Sequence, residues 1–109
     1  MSIKLDRINN MLLEQISVIL SQEVKDQDIK FVTITACKTT GDLSFVKVYF
    51  TTLNDREATL RALKSASGFI RRELAERVEL RHIPELNFVY DESIEYGNKI
   101  EQIIKEINE

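Results

Sequence analysis

The stretch from Asn54 to His82, NDREATLRALKSASGFIRRELAERVELRH, constrains the fold more than any other part of this chain. It holds a helical period for most of its length. At about 100° per residue, Leu60, Leu63, Ala66, Ile70, Leu74 and Val78 fall on one side. Arg61, Ser65, Gly68 and Arg72 fall on the opposite side, and Lys64 and Arg71 flank the apolar stripe. Asn54 is placed to cap the start, with Glu57 completing a capping-box spacing. The flaw is Gly68. A glycine inside a helix costs roughly 1 kcal/mol relative to alanine, and on the wet side no close packing accounts for it. The expectation is that the helix breaks or kinks at Ala66-Ser67-Gly68, so that an anionic backbone can come close. The residues placed to meet it are Arg61, Lys64, Ser65, Ala66, Ser67, Gly68, Arg71 and Arg72.

The flanking segments supply a sheet and its cover. Residues 3–25 repeat Leu5, Ile8, Leu12, Ile16, Ile19 and Leu20 at spacings of three and four, with Asn9, Asn10, Gln15, Ser17 and Gln22 opposite. That is an amphipathic helix with a solvated back. Phe31 to Ala36 alternates as a strand, with Val32, Ile34 and Ala36 on one face. A turn cluster from Lys38 to Asp42 leads to a second strand, Ser44 to Thr52, and such neighbours form an antiparallel hairpin. Phe45 and Tyr49 on this strand are able to stack on bases, or to cover a helix and fill a core. Pro84 stops the central helical region, and Leu86 to Tyr90 alternates as a third strand. Asp91 or Ser93 can cap a last helix with Ile100, Ile103, Ile104 and Ile107 inside and Glu95, Glu101, Glu106 and Glu109 outside. The order helix, strand, strand, kinked helix pair, strand, helix predicts a single α+β domain over 1–109. Its three-stranded sheet is covered by helices on one face.

The sequence disfavours several classes of function. With one cysteine, Cys37, no internal disulfide can form, and with one histidine, His82, a Cys/His zinc site is excluded by count. Three glycines scattered at 41, 68 and 97 build no phosphate loop. The carboxylates lie mostly on helix surfaces, so acid–base catalysis has no special candidate. No apolar run reaches a membrane span, and the N-terminus lacks a signal peptide's core. The chain reads as a cytoplasmic binder without cofactor, metal or small-molecule substrate. Its net charge of −3 hides an asymmetry: residues 54–82 carry +2 and residues 83–109 carry −5.

Helices joined by a small-residue turn with cations on either side, set on a sheet, are how KH domains clamp a nucleic-acid backbone. The local dipole at a second helix's start favours phosphate there. Equally, Ser67 and Gly68 can be a plain connection between core helices whose arginines keep the surface soluble. Family resemblance adds to this reading. Ala66-Ser67-Gly68 within Leu63–Leu74, Val78-Glu79-Leu80-Arg81, Pro84-Glu85-Leu86-Asn87-Phe88 and Asp91-Glu92-Ser93 resemble, in order and spacing, the ribosome-binding factor A family. Phe31–Thr35 and Asp42-Leu43 leading into Val46–Tyr49 are weaker matches. The resemblance implies a type II KH-like domain in which an Ala-x-Gly kink replaces the usual glycine loop. It further implies a monomer that binds the immature 30S ribosomal subunit through 16S rRNA and assists late maturation near the 5′ end. Release from the mature subunit and a link to growth in the cold are implied as well. Two rivals stay open: a protein-interaction module using the acidic last helix, and a small enzyme using His82.

Overall fold

A computed structural model of the chain describes residues 3–93. The first helix, α1, spans Ile3–Gln22, and its stripe of Ile8, Leu12, Ile16, Ile19 and Leu20 is buried as the spacing requires. It ends three residues before the expected boundary, closing with Glu23 N–H donating to the Ile19 carbonyl (2.9 Å). Asp26 then accepts from the Asp28 N–H and starts a short 3-10 turn, Gln27–Ile29, that buries Ile29.

Strands β1 (Val32–Thr39) and β2 (Phe45–Thr52) pair antiparallel. The hairpin is as expected, but β1 is longer and changes face midway. Ile34 pairs with Phe50 and Ala36 with Tyr49, so Thr35 is an extra residue, a β-bulge. Before it the even positions point to the core. After it Cys37 and Thr39 do, and Lys38 turns to the other side. Ala36, expected beside Val32 and Ile34, is displaced from their face for this reason. The loop is closed by Thr40 N–H donating to the Phe45 carbonyl (2.9 Å) and by Asp42 accepting from Thr40 Oγ1 (2.8 Å) and Ser44 N–H (3.1 Å). Leu43, rather than Gly41, takes the left-handed conformation here, at φ 62°.

The second long helix, α2, spans Arg56–Arg77 as one uninterrupted element. Two expectations are corrected. The cap is Asp55, not Asn54: its carboxylate accepts from the N–H groups of Glu57 (2.8 Å) and Ala58 (3.1 Å). The helix does not break at Ala66-Ser67-Gly68, and Gly68 has no positive φ. Packing outweighs the single glycine, because Leu63, Ile70 and Leu74 are all fully buried on the same stripe. Thr59, also fully buried, ties α2 to the preceding segments by donating to the Asp28 carbonyl (3.1 Å) and standing 3.3 Å from Thr52 Oγ1.

After the fully buried Pro84, β3 (Glu85–Tyr90) pairs parallel to β2, giving the strand order β1-β2-β3. A helical crossover is what permits a parallel pair. The central strand β2 buries Val46, Val48 and Phe50 completely, beneath α1 and α2. The result is a three-stranded sheet with both described helices on one face, as expected. The expected last helix, with Ile100, Ile103, Ile104 and Ile107, lies outside the described residues.

The bulge is tied to the end of β3 by Thr35 Oγ1 donating to Asp91 Oδ2 (2.7 Å), while Asp91 Oδ1 accepts from Ser93. These bonds, with Ser93 the larger influence, hold the Asp91 carboxyl below its ordinary pKa. A lowered pKa stabilises the fold above the unfolded carboxyl's value, and that contribution is lost as pH falls through the folded value. Asp91→Ala is therefore expected to be less stable than the parent at neutral pH. The gap should narrow as pH drops below about 4, the ordinary aspartate value. Urea midpoints at several pH values would show it, and a pH-independent gap would remove Asp91 from acid sensitivity.

Candidate nucleic-acid interface

The outer face of α2 is built by the same periodicity that buries its inner face. Thr59, Ala62, Leu63, Ile70 and Leu74 are buried, which leaves Arg61, Lys64, Ser65, Gly68, Arg71 and Arg72 exposed along about three turns. The helix is started by an acidic cap and carries Arg77 in its last turn, both favourable to the helix dipole. Two of the expected contact residues sit differently from the rest. Ala66 is half-buried against the core, and Ser67 is half-buried with its hydroxyl donating to the Lys64 carbonyl (2.8 Å). A serine hydroxyl bonded back to its own helix has no donor left for a phosphate. Neither faces outward with the cations.

No carboxylate among the described residues pairs with Arg61, Lys64, Arg71 or Arg72; the ion pairs there are Arg56–Glu92 (3.4 Å) and Arg77–Glu23 (3.5 Å). Arg71 has a structural task that the sequence did not disclose, donating from Nη2 to the Ile83 carbonyl (2.9 Å) and so pinning the loop before β3. A guanidinium has five N–H groups, so the others stay available. At Gly68 an added Cβ would meet only Arg72 Nη1, at 3.8 Å, an ordinary contact. The glycine therefore marks an open notch between Arg61, Lys64 and Arg72, where another backbone can approach the helix closely.

The two residues considered for catalysis differ in setting. Cys37 is buried, and burial pushes its thiol up to about 12, which leaves almost no thiolate at neutral pH. His82 is exposed, in the loop between α2 and β3. Among the described residues no helix is long and apolar enough to cross a membrane.

A three-stranded sheet with two long helices on one face and a cationic outer helix surface is a KH-like α+β domain. Residues 4–104 match the family model of ribosome-binding factor A. The chain belongs to the ribosome-binding factor A family. The Macrococcus caseolyticus ribosome-binding factor A is 45% identical over 111 residues, covering 99% of this chain and 97% of that one. The crystal structure of the Thermus thermophilus factor superposes with a TM-score of 0.76 at 27% identity, over 79% of this chain and 93% of that one. A homology model of the same Thermus factor, fitted into the cryo-EM map of its complex with the 30S subunit, superposes with a TM-score of 0.67. It is also 27% identical, over 77% of this chain and 91% of that one.

Proposed function

We propose that this chain is a cytoplasmic ribosome assembly factor. It binds the free, immature 30S subunit through 16S rRNA and assists late maturation, including processing at the 5′ end. It acts as a monomer without cofactor or small-molecule substrate. The observation that carries the reading is the outer face of α2, where Arg61, Lys64, Arg71 and Arg72 surround an open glycine and have no carboxylate partner among the described residues. The Thermus relative's complex with the 30S subunit supports the choice of partner. In this reading the cations hold phosphates and Gly68 admits the backbone between them. The continuous helix gives that contact a rigid base. A total charge of −3 makes general attraction to RNA weak, so binding depends on this local patch.

Gly68→Ala separates structure from function. Because Gly68 is an ordinary helical position with room for a methyl group, alanine should stabilise the fold by roughly 0.5–1 kcal/mol. Its Cβ would nevertheless stand in the notch. Cosedimentation with free 30S subunits across a salt series is expected to show salt-sensitive binding by the parent and weaker binding by the variant, despite its higher melting temperature. Ser65→Ala, which leaves the backbone path clear, should bind more like the parent. Salt-insensitive cosedimentation of the parent would point to the protein-interaction alternative. A Gly68→Ala protein that binds like the parent would move the contact away from the notch.

A further inference from the structure

The sheet face opposite the helices carries a pair of like charges. Lys38 and Lys47 stand directly across from each other in the β1–β2 pair, and both are exposed. Like charges directly opposite each other weaken a sheet. The β-bulge at Thr35 creates this pair, since it is what turns Lys38 to the open face. Among the described residues no carboxylate forms an ion pair with either lysine. Asp91 is close enough to feel Lys38 but is committed to Thr35 and Ser93.

Beside the lysines lies Phe45, 52% exposed although it sits in the middle strand of the sheet. Asn87 faces Lys47 from β3, and these four side chains border one shallow open depression. At its edge Lys38 Nζ lies 5.6 Å from the centre of the Tyr49 ring. Glu85, also exposed, stands across from Phe45 on β3, so the ring has a carboxylate on its β3 side and the cations away from it. An exposed ring beside cations is what single-stranded nucleic acid uses: bases stack on the ring and the backbone follows the charge.

We propose that the open sheet face is a second RNA contact, taking a single-stranded segment with a base on Phe45 and a phosphate between Lys38 and Lys47. This rests on the reading that the chain binds ribosomal RNA. The outer face of α2 and the open face of the sheet point in opposite directions, because α2 packs on the sheet's other side. The domain then sits between two RNA segments rather than lying on one. Two modest contacts of this kind reinforce each other, because the second forms within an existing complex.

The test uses the full chain and a fluorescein-labelled decauridine RNA, followed by fluorescence anisotropy at several salt concentrations. Phe45→Ala should weaken binding by roughly 5- to 150-fold, the equivalent of one lost base stack, and Phe45→Tyr should restore it. Lys38→Ala with Lys47→Ala should flatten the log–log salt slope by about 0.7, from one lost single-strand phosphate contact. All of these side chains are exposed or half-buried, and melting curves would confirm that the variants stay folded. A parent that ignores decauridine, or sheet variants with the parent's affinity and slope, would overturn the inference. Cosedimentation with 30S subunits in parallel tells the two failures apart. If the parent does not cosediment, the subunit reading fails and takes this inference with it. If the parent cosediments and the sheet variants match it in both assays, only the sheet contact fails. Sheet variants that lose subunit binding while the parent ignores decauridine would assign this face to a ribosomal protein instead.

Discussion

Arg61→Glu combined with Arg72→Glu is expected to lower affinity for the free 30S subunit by on the order of 100-fold, with the fold unchanged. Both side chains are exposed on the outer face of α2, and neither has a carboxylate partner among the described residues. Removing them should alter stability by no more than about 0.5 kcal/mol, as for most surface substitutions. A hydrogen bond to a charged group contributes roughly 1.5–3 kcal/mol, so two lost phosphate contacts amount to about two orders of magnitude or more. The salt dependence should change in the same experiment, since each lost contact flattens the log–log slope by roughly 0.7–0.9. The slope identifies the mechanism better than the affinity does. A variant with weakened binding but the parent's slope would indicate a general change in shape instead of lost phosphates. A folded variant with undiminished binding would relocate the RNA site altogether.

The largest expected effect on stability belongs to Phe50→Ala, at about 3–5 kcal/mol. Phe50 is fully buried in the central strand, with Ile34 as its partner on one side and Tyr90 on the other. Its ring meets that of Tyr90 edge to face, 5.7 Å between centres at 89°, and the Arg56 guanidinium lies 3.7 Å from the centre of the Tyr90 ring. Truncation would leave a cavity in the core cluster and remove one partner of the aromatic pair. A domain of this size has about 5–15 kcal/mol in total, so the variant should melt tens of degrees lower or fail to fold at moderate temperature. Phe45→Ala is the control. It removes the same ring from the same strand, but from a position 52% exposed, and should shift the melting temperature little. Equal losses at the two positions would mean that the open sheet face is covered in solution.

The periodicities determined which faces of α1, β2 and α2 are buried, because contact with a core on one side and water on the other imposes a spacing that residue types must follow. Leu12, Ile16, Leu63, Ile70 and Leu74 were legible for that reason, and so was the cationic face carrying Arg61, Lys64 and Arg72. Order and spacing of short segments were enough to reveal the family as well. What the sequence did not determine depends on partners distant along the chain. The bulge at Thr35 comes from pairing with β2, and it alone brings Lys38 opposite Lys47 and Cys37 into the core. The parallel setting of β3 and its place beside β2 follow from how α2 crosses over the sheet. Gly68 reads as a break or kink because local propensity disfavours it by roughly 1 kcal/mol. Tertiary structure decided otherwise, since the burial of a single leucine or isoleucine contributes about 1.5–3 kcal/mol, and three such side chains keep α2 helical through the glycine.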